Sequence, residues 1–315
     1  MLPISQGHLN VLDVCDRKYQ YIFFDALSGP ASYDQQLTTQ WGSQFHLLMQ
    51  QRALNLPVEA LAAANAEMAE SMAALAQTAP DIFEHLSSQP TSSSDELPTG
   101  PAANQTFSEP FSQSEHRRTL EFEDYLLTVV YDLVVGSPTQ GQIFDWKTHQ
   151  NPPREDQLQQ DWQTRLYLYV LCETSGLRAE QLSMTYWFVR LGHSALHESA
   201  LNESASDKSA SGASESSASA SSSSQRSPSF YRFGYSTAQH RRTRTDLQRL
   251  THRLTQMRQS GHFPKVDIEK GRCDRCPFAV RCDRLTSSFP LSDEAQKHLR
   301  EARQISVETV AEIPL

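Results

Sequence analysis

Two carboxylates and a lysine stand close together in a part of the sequence that is otherwise apolar. Asp132 lies inside Val-Val-Tyr-Asp-Leu-Val-Val, and Asp145 and Lys147 follow in Phe-Asp-Trp-Lys-Thr. An unpaired carboxylate is expensive to bury, so an aspartate in an apolar run demands an explanation. Paired carboxylates hold Mg²⁺ or Mn²⁺ through oxygen, and a nearby lysine can orient water or stabilise charge growing on a phosphate. The group predicts a metal-dependent hydrolytic site; the alternative is a turn-capping aspartate beside a surface ion pair.

Three further polar residues are candidates for the same site. Gln163 and Tyr167 are four apart in a predicted helix, so they share one helix face. An amide and a hydroxyl there could contact the metal shell or a nucleic-acid backbone, although Tyr167 could equally belong to the core. His46 follows Gly42 by four positions. A neutral imidazole is a good ligand for Mn²⁺-like ions, whereas a histidine alone on a helix is more often structural.

Three cysteines near the C-terminal end have the spacing of metal ligands. They are Cys273, Cys276 and Cys282, with a proline after the second. Three thiols do not fill a tetrahedral site, and the other cysteines are Cys15 and Cys172. Zinc modules usually draw ligands from two nearby pairs, whereas long-range closure with Cys-Pro is more typical of iron–sulfur ligation. We therefore predict a [4Fe–4S] cluster, with zinc as the alternative, and we expect Cys172 to be a small buried hydrophobe.

A hairpin is needed to bring the acidic residues together. Residues 125–135 and 142–148 are rich in β-branched and aromatic residues and are separated by Gly-Ser-Pro-Thr-Gln-Gly. Two such runs around a turn predict adjacent antiparallel strands. Because side chains alternate along a strand, Asp145 and Lys147 point to one face of the sheet.

The remaining elements give an α/β pattern in a single domain over residues 1–315. Two polar stretches interrupt it: residues 87–114 predict a flexible insertion, and the serine-rich residues 198–229 predict a disordered one. The cysteine motif occupies residues 271–284. Helices are predicted over residues 5–27, from 39 onwards, within 58–76, over 154–173 and over 237–260, and further strands over 182–191 and 230–236.

The charge distribution is uneven. The net charge is −9, but residues 240–284 hold twelve Lys/Arg and five Asp/Glu and so carry +7, which leaves −16 elsewhere. A basic surface can attract a polyanion even when total charge is negative; the alternative is a solvated helix face. We expect no membrane span and no secretion signal, and the cysteine usage is typical of a reducing cytoplasm. The arginines that we predict to contact such a polyanion are Arg241, Arg242, Arg272 and Arg275.

In chain order these motifs resemble the PD-(D/E)xK nuclease superfamily. Within it they are most similar to the RecB-like branch, which includes iron–sulfur CRISPR-associated exonucleases and the nuclease domains of AddAB-type helicase–nucleases. One departure is that the family usually has Gly-x-(Ile/Val)-Asp where this chain has Val-Val-Tyr-Asp. The matching positions are Cys15 in Cys-Asp-Arg-Lys-Tyr, Gly42-x₃-His46, Asp132, Asp145-Trp-Lys147-Thr, Gln163-x₃-Tyr167, Cys273, Cys276-Pro and Cys282.

The resemblance implies a restriction-endonuclease-like fold, with a mixed central sheet flanked by helices. It implies that Cys15 joins the C-terminal triplet around a [4Fe–4S] cluster, which clasps the two ends of the chain. It also implies metal-dependent hydrolysis of DNA, with the metal held by Asp132, Asp145, a carbonyl near Trp146 and His46.

Lys147 would then position the attacking water or stabilise the developing charge. Exonuclease action on single strands or ends, in repair, recombination or defence and with helicase or CRISPR-adaptation partners, is what this branch implies. The alternative is a catalytically silent nuclease fold that binds DNA or a protein.

Overall fold

A mixed six-stranded sheet flanked by helices forms the described part of the protein. The structure is a computed structural model that describes residues 1–27, 33–58, 61, 65–87, 107, 109–149, 152–190 and 227–284. It divides into unit 1, residues 1–13 and 30–262, and unit 2, residues 14–29 and 263–315. The strands are β1 (Leu2–Ile4), β2 (Phe111–Phe122), β3 (Tyr125–Gly136), β4 (Gly141–Lys147), β5 (Leu182–Phe188) and β6 (Ser229–Gly234). The helices are α1 (Gln6–Val14), α2 (Asp16–Phe23), α3 (Tyr33–Ala53), α4 (Ala66–Thr78), α5 (Pro80–Ser87), α6 (Glu155–Gln160), α7 (Trp162–Ser175) and α8 (Thr237–Ser260).

Strand β3 organises the sheet because three other strands pair with it. β2 runs antiparallel along one edge of β3, and the pairing is interrupted at Glu115. On the other edge, β1 pairs in parallel with residues 125–127 and β4 pairs antiparallel with residues 133–136. Residues 128–132 of β3 therefore have no strand partner on that edge. β5 then pairs in parallel with β4, and β6 pairs antiparallel with β5.

Two groups of helices cover the sheet. α3, α4 and α5 share a hydrophobic cluster that includes Phe45, Leu75 and Trp187. α7 contacts β2, β3, β5 and α8. Most of its fourteen residues are buried, because α7 is the crossover between the parallel strands β4 and β5. Gly176 ends it in a left-handed conformation (φ 75°), which a side chain would oppose.

Two helices predicted as continuous are broken by a single residue. Residues 5–27 form α1 and α2, separated at Cys15, whose backbone is extended (φ −164°), and β1 precedes them. Residues 154–173 form α6 and α7, separated at Asp161. The Asp161 carboxylate accepts a hydrogen bond of 2.7 Å from the N–H of Gln163 and so caps a new helix. Apolar periodicity continues across both breaks, and this is why the sequence pattern does not reveal them.

The boundaries of other helices and strands also differ from the predicted ones. β2 begins at Phe111, so residues 111–114 are strand and not part of a flexible insertion, and α3 begins at Tyr33 instead of near Thr39. Residues 88–106 and 191–226, which hold most of the two predicted insertions, lie outside the described residues. The hairpin and the helix over residues 237–260 are confirmed. No described helix is long and apolar enough to cross a membrane.

Unit 2 joins residues near the start of the chain to residues near its end. The N–H of Arg17 donates to the carbonyl of Pro264 at 3.1 Å. The ring of Phe24 packs on Phe263 and the ring of Tyr21 packs on Phe278, with centroids 5.4 and 5.2 Å apart. Backbone and aromatic contacts therefore connect α2 to the segment that carries the cysteine motif.

Candidate active site

A polar cleft of about 760 Å³ opens in unit 1 beside the stretch of β3 that lacks a partner. Residues of α3, β2, β3, β4 and α7 line it. Backbone groups that no neighbouring strand satisfies must find other partners. Side chains from the surrounding elements supply them, and the same side chains carry the predicted chemistry.

The Asp132 side chain replaces part of the missing strand pairing, because it bonds a backbone group of β4. Its Oδ2 accepts a hydrogen bond of 2.7 Å from the backbone N–H of Trp146, and its Oδ1 lies 3.4 Å from His46 Nδ1. Gly42 allows α3 to approach closely enough for this contact, because a Cβ at position 42 would lie only 2.8 Å from Thr148 Oγ1. The glycine of the Gly-x₃-His motif therefore has a steric role.

Asp145, Lys147 and Gln163 form one hydrogen-bonded group. The Gln163 amide donates to Asp145 Oδ1 at 2.6 Å and accepts from Lys147 Nζ at 2.7 Å. Lys147 Nζ also lies 2.7 Å from Asp145 Oδ2, and 5.0 Å from the centroid of the Tyr186 ring. Strand β4 places the two charged groups on one face, as the alternation predicts, and α7 supplies the amide that fixes both.

Tyr167 belongs both to this group and to the core. Its ring is buried edge-on against Tyr131, with centroids 5.3 Å apart. Its hydroxyl is hydrogen-bonded to the Gln163 side chain and to the backbone of Val130, in the unpaired stretch of β3. Tyr131, the residue at the family departure, is fully buried and donates from its hydroxyl to the Tyr167 carbonyl at 3.1 Å.

Burial and like charges shift the proton affinities in the cleft. Burial, together with the charge of Asp132, raises the pKa of Asp145 to about 6 despite Lys147. Burial alone would lower the pKa of His46, but the hydrogen bond to Asp132 and the nearby carboxylates raise it overall. Burial and the charge of Asp132 also raise the pKa of Glu115. The three carboxylates of the cleft therefore carry more negative charge than Lys147 and His46 balance.

Glu115 is the residue that the sequence patterns missed. One ligand atom each from His46, Glu115 and Asp132 lies within 4.8 Å of the others. Glu115 is half-buried on β2, the strand whose first residues the composition had assigned to a polar insertion. The alternation in Arg-Thr-Leu-Glu-Phe at the end of β2 is the signal that could have indicated this strand.

The residues of the cleft fit a hard divalent cation. An imidazole nitrogen and carboxylate oxygens are donors that Mn²⁺ accepts, and carboxylates suit Mg²⁺. Asp145 is only 2% exposed, and its Oδ2 forms an ion pair with Lys147 Nζ at 2.7 Å. A carboxylate oxygen that lines the cleft can bind a divalent cation alongside such a lysine.

The four predicted cluster ligands line one cavity of unit 2, of about 90 Å³. They are Cys15, Cys273, Cys276 and Cys282, all free thiols. Among the described residues, no three of these sulfur atoms lie within 4.8 Å of one another. Cys172 belongs to α7 in unit 1, where it is partly buried and contacts the Leu177 carbonyl at 3.5 Å.

The arginines predicted to bind DNA are exposed. Arg241 and Arg242 lie in the first turns of α8 in unit 1. Arg272 and Arg275 lie in unit 2 and line the thiol cavity. Exposure is compatible with phosphate contact but does not test it, so this stays a prediction.

One protein family matches the chain over most of its length. The profile of the PD-(D/E)XK nuclease superfamily matches residues 3–283. No curated protein matches the chain. The matched range begins within β1 and ends just after the last cysteine of the motif, so the cleft residues described above fall inside it. On this match over most of its length, the chain belongs to the PD-(D/E)XK nuclease superfamily.

Proposed function

We propose that the protein is a divalent-metal-dependent deoxyribonuclease that acts as an exonuclease on single-stranded DNA or on DNA ends. The observation that carries this proposal is that Asp132, Asp145 and Lys147 line one open cleft. Gln163 is hydrogen-bonded to both Asp145 and Lys147. Superfamily membership supports nuclease chemistry. The retention of both carboxylates and the lysine favours an active enzyme over a silent fold.

In this proposal His46, Asp132 and Asp145 hold the cation, and the Trp146 carbonyl is a further candidate ligand. A bound Mg²⁺ or Mn²⁺ polarises the scissile phosphate and lowers the pKa of the attacking water. Lys147 stabilises negative charge that develops on the phosphate. Because Gln163 holds the Lys147 ammonium on one side and Asp145 on the other, it fixes the orientation of both groups, and Tyr167 supports Gln163 in turn.

We also propose that Cys15, Cys273, Cys276 and Cys282 ligate a [4Fe–4S] cluster with a structural role. All four thiols line one cavity of unit 2, which supports a single shared site. The proline after Cys276 and the long separation of Cys15 from the triplet favour iron–sulfur ligation over zinc. Basic side chains around the cavity, including Lys18 and Arg284, suit its anionic thiolates.

A test of the cluster is anaerobic purification. We expect a brown protein with broad visible absorbance that Cys15→Ala loses and Cys172→Ala keeps. A colourless protein that contains zinc would rule out the iron–sulfur assignment. A cluster of this kind agrees with a cytoplasmic location.

We further propose that the exposed arginines Arg241, Arg242, Arg272 and Arg275 bind DNA phosphates. Roles in repair, recombination or defence, with helicase or CRISPR-adaptation partners, are extensions of the same proposal. Replacing any one of these arginines by alanine should make DNA binding less sensitive to salt, because fewer counterions are released. Titrations of the four variants at several salt concentrations therefore test the surface.

Cleavage of labelled DNA tests the catalytic proposal. Linear single-stranded, linear double-stranded and circular single-stranded DNA are incubated with Mg²⁺ or Mn²⁺, with EDTA as the blank. We expect wild type to degrade linear DNA and spare circles, Lys147→Ala to be inactive, and Lys270→Ala, an exposed lysine of unit 2, to match wild type. Cleaved circles would indicate endonuclease action instead. Equal inertness of wild type and Lys147→Ala on all three substrates would favour the silent binding module.

A further inference from the structure

Glu115 on β2 and Asp132 on β3 bring two carboxylates close together. Ser114 pairs with Leu133 and His116 pairs with Tyr131, and Glu115 lies between these two pairs with a left-handed backbone (φ 51°). Two like charges at short range repel each other. Both side chains reach the cleft beside His46, and all three ligand atoms lie within 4.8 Å of one another. A cation between them would turn this repulsion into attraction.

The other carboxylate oxygens of the cleft already have protein partners, which a bound cation would share. Asp145 Oδ1 accepts from Gln163, and Asp145 Oδ2 contacts Lys147. Asp132 Oδ2 accepts from the Trp146 N–H. By contrast, the Glu115 carboxylate makes no hydrogen bond or ion pair with any residue that the structure describes. The ligand atoms that have the fewest protein partners are therefore those of His46, Asp132 Oδ1 and Glu115.

We propose that Glu115 is a ligand of the cation held by His46 and Asp132, and that this donor set favours Mn²⁺ over Ca²⁺. The inference rests on the proposed metal-dependent function and adds a residue that the motif comparison does not supply. Ca²⁺ prefers six to eight oxygen ligands, whereas an imidazole with carboxylates suits a transition metal. Glu115 thus contributes to the strength of binding, and the His46 imidazole contributes to the choice of metal.

A direct binding measurement tests the inference without relying on cleavage. Metal-free protein is titrated with Mn²⁺, and the electron paramagnetic resonance signal of free Mn²⁺ is followed, with Ca²⁺ as competitor. We expect Glu115→Gln to raise the Kd for Mn²⁺ about tenfold or more. Glu121→Gln is the matched control, because Glu121 is an exposed carboxylate of the same strand. It should bind Mn²⁺ as wild type does.

Thermal unfolding separates a ligand from a structural residue. Without metal, Glu115→Gln should melt at the same temperature as wild type or higher, because the repulsion with Asp132 is gone. With Mn²⁺, the melting temperature should rise for wild type and rise much less for the variant. Glu115→Asp, which keeps a carboxylate, should bind Mn²⁺ better than Glu115→Gln.

Three results would overturn the inference. The first is a Kd of Glu115→Gln for Mn²⁺ within twofold of the wild-type value, while wild type binds Mn²⁺ and cleaves DNA. This result leaves the proposed function intact. The second is a lower metal-free melting temperature of Glu115→Gln together with Glu115→Asp binding no better, which assigns a structural role. The third is a wild type that neither binds Mn²⁺ nor cleaves DNA, which removes the proposed function as well.

Discussion

Replacing Asp145 by asparagine should stabilise the metal-free protein at alkaline pH while it removes activity. Asp145 is 2% exposed, and burial and Asp132 raise its pKa from 3.8 to about 6. The folded state therefore binds this proton more tightly than the unfolded state does. Consequently the carboxylate costs stability increasingly as the pH rises from about 4 through about 6, and the full cost remains above that.

The size of the effect follows from the shift. A change of about two pKa units corresponds to about 3 kcal/mol, in which the favourable contact with Lys147 is already included. Asparagine has nearly the same shape and no charge. At pH 8, the free energy of unfolding of Asp145→Asn should therefore exceed that of wild type by up to about 3 kcal/mol. Near pH 4, the free energies of unfolding of the two proteins should be equal.

Urea unfolding followed by tryptophan fluorescence measures this difference. All four tryptophans lie in unit 1, at positions 41, 146, 162 and 187, so the signal reports on the unit that holds the cleft. Both proteins are unfolded in EDTA at several pH values between 4 and 8. Asp124→Asn, at an exposed turn, is the control and should follow wild type.

The difference between the two curves is decisive because other groups titrate equally in both proteins. A variant that is less stable than wild type at pH 8, or a difference that does not grow between pH 4 and 6, would refute the reasoning. Either result would mean that Lys147 and His46 compensate the buried charge fully. Added Mn²⁺ should stabilise wild type and leave Asp145→Asn much less affected.

Three other substitutions probe the support of the site. Gln163→Ala should slow DNA cleavage about 10–100-fold and also lower the melting temperature, because Lys147 and the buried Asp145 lose their shared partner; an unchanged rate would contradict this role. Gly42→Ala should weaken Mn²⁺ binding, since the new methyl group would lie 2.8 Å from Thr148 Oγ1, and adding Thr148→Ala should restore binding; no rescue would exclude the steric explanation. Tyr131→Phe should cost about 1 kcal/mol in urea unfolding without changing Mn²⁺ affinity, and loss of affinity would instead tie this residue to the site.

The parts of the site that sequence patterns predict are those that local structure determines. The hairpin of β3 and β4 is defined by two short apolar runs and a turn, so the sequence alone places Asp132, Asp145 and Lys147 together. Gln163 and Tyr167 follow from helical spacing. Each of these placements depends on residues close in the chain.

Glu115 could not be predicted in the same way because its position depends on pairing. β2 has few strong strand formers at its beginning, and it acquires its register only against β3. The helix breaks at Cys15 and Asp161 were missed for a related reason. Apolar periodicity reports burial and continues through a residue that leaves the helical conformation, so it does not reveal where one helix ends and the next begins.

The unpaired stretch of β3 explains why the site lies where it does. β1 and β4 each pair with one end of the same edge, and the interruption between them exposes backbone groups that must be satisfied. Asp132 bonds the Trp146 N–H and Tyr167 bonds the backbone of Val130 there. Side chains that complete the sheet are thereby held rigidly at the cleft. With three carboxylates facing one lysine and one histidine, the completed sheet carries an excess of negative charge that a divalent cation would balance.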